Sequence, residues 1–291
     1  MMWYQFALIS AFFSAGAAIL EKKTLFKTEV LEFSLILAWG NLFFSIPLLI
    51  FINWQSVSNI SLLVLYGKTI LGMFSFLFVM YGIKNLEISG ALPILTLTPG
   101  LVAIVAFVML GTTLSSGEII GMWGLLVDTY VLQLGNKKGL LGPFKVFYYS
   151  KGHHYIIAAL LIFTITSILN KVLLSSFRLP PNALIFTQHL FLAVNFSIFA
   201  LIYRKGKPEV ASTVGSSWKY FIILAIFTII YRLSQMEAVK LGSVAMVLSL
   251  KRISVFFAVV FGGSLFKEHY LMRKTIATLV MLAGAALVIL S

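Results

Sequence analysis

Apolar runs of about 20 residues recur along the whole chain of 291 residues, and no large polar segment separates them. At about 1.5 Å per helical residue, such a run matches the ~30 Å hydrocarbon core of a bilayer. Charged residues make up only 11% of the chain, against about 25% in soluble domains. The runs do not alternate as the strands of a membrane β-barrel do. The sequence therefore predicts an all-α, multi-pass integral membrane protein, expected in the plasma (inner) membrane.

We predict ten transmembrane helices from these runs. They are expected at 3–20, 32–52, 63–83, 91–110, 118–134, 155–174, 183–203, 218–236, 243–263 and 271–290. No basic residue precedes the first run, and "EKK" follows it, so we expect a retained span rather than a signal peptide.

The two halves of the chain resemble each other. The longest polar connection, 135–154, carries four lysines, four glycines and a proline, and it separates the fifth span from the sixth. "AILEKKTLF" (18–26) closes the first span as "SILNKVLLS" (167–175) closes the sixth, which places Lys22 opposite Lys171. Both lysines are expected to snorkel at helix ends. With five spans in each half, the second half must enter the membrane in the opposite orientation.

A second internal match supports this division. The segment 89–110 parallels 242–263, and without a gap "LKR" (250–252) falls on "LTP" (97–99). We therefore predict two inverted five-helix repeats. The first occupies 1–140 and the second 155–291, with 141–154 as the connecting loop.

The loop charges predict an orientation. The connections after even-numbered spans hold only Arg178 and Lys240. Those after odd-numbered spans hold twelve basic residues: Lys22, Lys23, Lys27, Lys84, Lys137, Lys138, Lys145, Lys151, Arg204, Lys205, Lys207 and Lys267. The positive-inside rule places the basic side in the cytoplasm and both termini outside.

Two segments carry a family resemblance. "FGGSLFKEHYLMRKTIATLVMLAGAALVIL" (261–290) and "LGTTLSSGEIIGMWGLLVDTYVLQL" (110–134) resemble the closing helix pair of EamA-type proteins in the drug/metabolite transporter superfamily. The resemblance implies a ten-helix carrier, and it implies cytoplasmic termini, against the charge count.

Other residues of the family pattern are partly kept. The usual proline of the fourth helix is present as Pro99, but Arg252 replaces its partner in the ninth helix. The usual acidic residue after the ninth helix is present as Glu268, while Thr112 stands at the matching place. The "LKR" of the ninth helix also resembles the basic pair with which sugar-phosphate/phosphate translocators hold phosphate.

Lys251 lies near the middle of the predicted ninth span. A charge at that depth costs about 2.5–3.5 kcal/mol on insertion scales, so its side chain is expected to face the protein interior, water or a partner. Polar residues also stripe other spans, and together they predict a wet central cavity. Its basic residues exceed its acids unless Glu21 or Glu237 leans in, so we expect an anionic ligand.

The candidate substrate-binding residues are intramembrane polar side chains expected around this cavity. They are Lys251, Arg252, Arg232, Gln235, Thr98, Gln188, His189 and Asn170. Asp128, a carboxylate within the fifth span, is a candidate proton-coupling site or counter-ion. Internal ion pairing with Asp128 is the structural alternative to binding.

Several function classes are excluded or unsupported. The chain has no cysteine, which rules out disulfides, iron–sulfur clusters and thiol nucleophiles. "GKT" (67–69) lacks the earlier glycine of a phosphate-binding loop, and His153 with His154 has no further nearby ligands. We expect no catalytic residues, no metal, no cofactor and no nucleic acid, because the net charge of +13 is assigned to topology.

The sequence as a whole predicts a secondary transporter that moves a small polar, anionic metabolite by alternating access. Its expected partners are that metabolite and membrane lipid, with proton or ion coupling and a homodimer left open. The alternatives are an integral-membrane enzyme and a non-transporting receptor or scaffold.

Overall fold

The computed structural model describes residues 2–110, 150–203 and 210–290. These ranges contain helices and short connections and no β-strand. The helices are α1 (Trp3–Leu25), α2 (Val30–Ser45), α3 (Asn59–Asn85), α4 (Ile88–Ala91), α5 (Thr98–Leu110), α6 (Lys151–Ser175), α7 (Pro181–Tyr203), α8 (Val210–Leu241), α9 (Val244–Lys251), α10 (Ile253–Phe257), α11 (Gly263–Leu265) and α12 (Leu271–Leu290).

The prediction of an all-α membrane protein is confirmed. Nine of the ten predicted spans coincide with helical segments, and the fifth, 118–134, lies outside the described residues. Within the described part of the chain, seven helices are long and apolar enough to cross a membrane. The total of ten and the division into two repeats stay predictions. Several helix ends differ from the predicted bounds: α1 runs on to Leu25, α3 begins at Asn59, and α6 begins at Lys151, inside the predicted connecting loop 141–154.

The fourth and ninth predicted spans contain short segments that depart from α-helical geometry. A 3-10 segment, Leu92–Leu97, separates α4 from α5. Arg252 stands between α9 and α10 but keeps right-handed helical backbone angles, and its N–H donates to the carbonyl oxygen of Leu248 over 3.2 Å, so the helical path continues through it. A π-helical segment, Ala258–Gly262, follows. Irregular segments of this kind inside helices often lie at functional sites.

Contacts between helix ends show how several described helices are arranged. Lys84, in the last turn of α3, donates to the carbonyl oxygen of Thr28, which follows α1, over 3.0 Å. At the other end of the second predicted span, the Asn182 amide at the start of α7 donates to the carbonyl oxygen of Phe51. The ends of α1 and α3 therefore meet on one side of the bundle, and the end of the second predicted span meets the start of α7 on the other.

Two lysines hold the ends of other helices. Lys22 Nζ donates to the carbonyl oxygens of Ile83 and Leu86, at the end of α3, over 2.5 and 2.6 Å. Lys171 Nζ donates to two carbonyls at the end of α8, over 3.0 and 2.8 Å. These carbonyls have no partner within their own helices. The expectation of snorkelling is wrong for Lys22, which is only 6% exposed.

The connection before α12 is pinned to the start of α4. The Glu268 carboxylate accepts hydrogen bonds from the backbone N–H of Ile88 and of Ser89, over 2.7 and 3.0 Å, and from the Ser89 hydroxyl. A carboxylate at this place satisfies N–H groups that a helix start leaves free. Lys267 and Tyr270, on either side, have positive φ angles of 53° and 55°. The Glu268 contacts therefore accompany strained backbone, which costs about 1–3 kcal/mol per residue.

Glu87 joins the same connection from the other side. Its carboxylate binds the Lys274 ammonium and lies 2.9 Å from His269 Nδ1. Burial raises the pKa of Glu87, but the hydrogen bonds from Lys274 and His269 outweigh it and hold this pKa below its ordinary value. Glu87 and Glu268 together tie the entrance of the fourth predicted span to the second half of the chain.

Glycines allow the helices to approach closely. A Cβ atom on Gly82, in α3, would lie 2.3 Å from Ile156 Cδ1 in α6. A Cβ atom on Gly16, in α1, would lie 2.7 Å from the Phe227 ring in α8. Small residues at such crossings are typical of helix packing in membranes.

Candidate functional site

A polar cavity of about 250 Å³ lies among the helices and is lined by residues from α1 to α3 and from α5 to α10. Its size suits a small metabolite better than a drug-sized ligand, whose sites run from about 300 to 1,000 Å³. Seven of the eight predicted binding residues line it: Lys251, Arg252, Arg232, Gln235, Thr98, Gln188 and Asn170.

Of the other two predicted site residues, one lies outside the cavity lining and one is not among the described residues. His189 is 2% exposed and does not line the cavity, although it neighbours Gln188 in α7. Its Nδ1 atom has no hydrogen-bond partner among the described residues. Asp128 lies outside the described residues, so its roles as coupling site and counter-ion stay predictions.

Four cations of the described part of the chain line the cavity, and the two lysines among them have acceptors. Lys251 Nζ donates to Gln235 Oε1 over 2.7 Å and lies 4.8 Å from the centre of the Tyr231 ring. Lys68 Nζ donates to Gln188 Oε1. The glutamine oxygens orient both ammonium groups but leave their charge uncompensated, because an amide is neutral.

The two arginines of the cavity have no such acceptors among the described residues. Arg232 and Arg252 line the cavity, and neither guanidinium donates a hydrogen bond to another described residue. The Nε atom of Arg252 is fully buried and has no partner within the same ranges. Both arginines are partly exposed, so their N–H groups without protein acceptors can donate to water or to a ligand brought into the cavity. The planar forks suit the oxygen pairs of carboxylate, phosphate or sulfate.

Neutral polar atoms extend the donor and acceptor set. Asn41 Oδ1 in α2 and Asn170 Oδ1 in α6 are buried without hydrogen-bond partners among the described residues. The Thr98 hydroxyl donates to the Leu95 carbonyl oxygen over 2.7 Å and still lines the cavity. Free amide oxygens beside cations suit a ligand that carries hydroxyl or amino groups besides its negative charge.

Glu21 is the one carboxylate that lines the cavity within the described part of the chain. It lies in α1, which runs to Leu25 rather than ending at 20, and it is 8% exposed. Glu21 therefore lies in the cavity lining, a position that could not be decided from the sequence alone. Glu237, the other residue considered there, does not line it.

Lys68 is a charged site residue that the sequence reasoning missed, and Asn41 is a neutral one. The Lys68 triplet "GKT" fails as a phosphate-binding loop, and the sequence predicted no other role for it. The available signal was a lysine inside an apolar helix. The Ser58 hydroxyl caps α3 by accepting from the Ser61 N–H over 3.1 Å, so the helix begins at Asn59 and Lys68 lies more than two turns inside it.

Metal binding finds no support in the described ranges. No group of three histidine, cysteine, aspartate or glutamate side chains lies close enough there to hold a metal ion. The site is therefore described by its cations and amides, which favour binding of an organic or inorganic anion.

Comparisons with known proteins point to one class of protein. A family model described as "EamA-like transporter family" matches residues 1–132 and 150–290. A solved structure named "Crystal structure of protein" is 15% identical, with a TM-score of 0.66, and the match covers 98% of this chain and 96% of that one. In all, 28 solved chains match. No curated protein sequence matches. At this identity the solved structure shows a shared fold alone.

Proposed function

Because the chain belongs to the EamA-like transporter family, we propose that it carries a small anionic metabolite across the membrane through the central cavity by alternating access. Membership confirms the resemblance noted from the sequence, and it makes the chain a multi-pass membrane transporter, in line with the expected plasma-membrane location. It points to a transporter rather than an enzyme. The anionic nature of the substrate and the alternating-access mechanism are proposals that go beyond family membership.

The single observation that supports an anionic substrate is the charge balance of the cavity. Four cations, Lys68, Arg232, Lys251 and Arg252, face one carboxylate, Glu21, among the described lining residues. Holding four like charges around one small cavity is unfavourable, and a ligand of opposite charge offsets part of their repulsion. Because the guanidinium groups have no acceptors in the described part of the chain, they are free to bind it with two hydrogen bonds each.

Alternating access is supported by irregular helical segments beside the cavity. The 3-10 segment before α5 and the irregular turn at Arg252 both border the cavity, which is lined by Leu95, Thr98 and Ser254 among others. Short 3-10 and π-helical segments inside helices often mark hinges or functional sites. The Glu268 contacts with the start of α4 join the two predicted halves at one end, and these contacts would have to break if that end opened.

Ligand-induced stabilisation tests the proposal. Purified protein is heated with sulfate, phosphate, monocarboxylates, dicarboxylates and sugar phosphates, and with neutral and cationic compounds of similar size. A ligand that binds only the folded state raises the melting temperature by mass action. We expect at least one class of anion to stabilise the wild-type protein and no cation to do so.

Matched variants locate the effect. Arg252→Met should abolish the stabilisation by the anion, while Arg178→Met, which removes the same charge from an exposed connection, should retain it. Stabilisation only by neutral or cationic compounds would contradict the proposal that the substrate is an anion. Equal loss in both variants would show that the cavity is not the site.

A further inference from the structure

Glu21 is a buried carboxylate that the anion site does not need. It lies in α1, is 8% exposed and lines the cavity. No described residue donates a hydrogen bond to it, and no lysine or arginine among them lies within ion-pair distance. Its strongest charged neighbour is Lys251. A buried carboxylate without hydrogen bonds is costly when ionised and much less so when protonated.

The groups that face Glu21 across the cavity come from every helix packed against α1. They are cationic or neutral: Lys68 from α3, Tyr231 and Arg232 from α8, Lys251 from α9, and Arg252 beyond it. From α2 the cavity receives only the neutral Asn41. On α1 itself the neighbouring Lys22 is engaged at the end of α3. Without a ligand, Glu21 is thus the one negative charge opposite these described cations.

An entering anion changes that balance. It brings its charge to the same cations and repels an ionised carboxylate in the same small cavity. The repulsion disappears when the carboxylate takes up a proton. By reciprocal linkage, whatever factor the anion adds to proton binding, the proton adds to anion binding.

We propose that Glu21 couples transport to protons: it takes up one proton when the cavity binds its anion and gives that proton up when the anion leaves on the other side. This inference rests on the proposed anion cavity. The Glu21 carboxylate becomes a neutral carboxylic acid on the side where the anion enters, and it is ionised again on release. Anion and proton therefore move in the same direction. The role falls on a different residue from Asp128, which the sequence nominated.

Sulfate is the probe, because its charge does not change between pH 5.5 and 8.5. Its affinity for the purified protein is measured across that range by melting-temperature shift, with chloride keeping the ionic strength constant. We expect the wild-type affinity to fall as the pH rises, by up to about tenfold per pH unit, the limit for one linked proton. Glu21→Gln should bind sulfate with little pH dependence, and more tightly than the wild type at pH 8.5.

Two further variants separate coupling from folding. Glu237→Gln makes the same change on α8 outside the cavity lining, so it should keep the wild-type slope. Glu21→Asp keeps a carboxyl group, so its sulfate affinity should still fall as the pH rises, even if the glutamine variant folds poorly. A merely structural counter-ion would lower the melting temperature of Glu21→Gln and leave the slope unchanged.

Direct proton uptake needs no variant. Sulfate added to wild-type protein in weakly buffered solution should make the solution more alkaline, by up to one proton per bound sulfate. Sulfate binding without proton uptake, or an unchanged slope in Glu21→Gln, would overturn the role of Glu21 and leave the anion cavity standing. If neither sulfate nor any other anion of the stabilisation assay binds at any pH, the anion cavity itself is refuted, and the role of Glu21 with it.

Discussion

Replacing Lys22 by methionine should destabilise the fold more than any substitution of an exposed lysine. The change keeps the apolar stem and removes two hydrogen bonds to carbonyl oxygens at the end of α3, at 2.5 and 2.6 Å. A hydrogen bond from a charged donor contributes about 1.5–3 kcal/mol, and the desolvation of the ammonium group offsets part of that sum. We therefore expect a loss of about 3 kcal/mol in the free energy of unfolding.

Two other lysines calibrate the measurement. Lys171→Met removes longer bonds, of 3.0 and 2.8 Å, from a less buried side chain, so about 2 kcal/mol is expected. Lys84→Met removes a contact of 3.3 Å with Glu29, whose side chain is largely exposed at 79%, and one backbone bond. A surface pair contributes roughly 0–1 kcal/mol and the single backbone hydrogen bond of this partly exposed lysine about 1 kcal/mol, so this variant should be the least destabilising of the three.

The assay is equilibrium unfolding of purified protein in detergent by a denaturant, followed by tryptophan fluorescence. The order of the three variants is the result that matters. If Lys22→Met is no more destabilising than Lys84→Met, the carbonyls at the end of α3 do not depend on this lysine, and its predicted role is refuted.

Three further predictions follow from the same structure. Arg252→Lys keeps the charge but not the planar fork, so anion affinity should fall about tenfold, and an unchanged affinity in the melting-temperature assay would exclude a two-bond contact. Lys274 and His269 hold the pKa of Glu87 below its ordinary value of 4.5, so the ionised carboxylate should stabilise the protein above pH 4.5 and lose this effect as the pH falls through the lowered pKa. Glu87→Gln should therefore make the melting temperature depend less on pH below 4.5. An unchanged pH profile of the melting temperature in this variant would contradict the prediction. Gly82→Ala would place a Cβ atom 2.3 Å from Ile156 and should lower the free energy of unfolding by about 1–3 kcal/mol. Gly67→Ala, whose Cβ atom meets no atom within 4 Å, is the control and should be neutral or slightly stabilising in the same unfolding assay.

The helices were largely predictable because each one is determined by the residues of its own segment. Continuous apolar runs fix length and type, which is why nine predicted spans coincide with described helices. Their ends were less predictable, since a cap such as Ser58 or a charged last turn such as that of α1 extends a helix beyond its apolar run. The extension of α1 brought Glu21 and Lys22, which had been assigned to a connection, into the helix.

The site was predictable in composition but not in contacts. Lys251, Arg252 and Arg232 stand out in sequence because charges inside apolar runs are costly. Which group meets which depends on helices far apart in the chain: Lys68 and Gln188 are 120 residues apart, and Lys22 and Ile83 are 61 apart. Without the relative rotation of the helices, neither pairing nor the exclusion of His189 from the cavity could be inferred.

Anion uptake into sealed vesicles tests the central claim most directly. Vesicles with purified wild-type protein are compared with vesicles that hold the Arg232→Met, Arg252→Met double variant, using the radiolabelled anion that gives the largest stabilisation. We predict saturable uptake by the wild-type protein and none above protein-free vesicles by the double variant, although both are folded and inserted. Equal uptake by both proteins would contradict the account, because an anion could then cross without the two guanidinium groups that line the cavity.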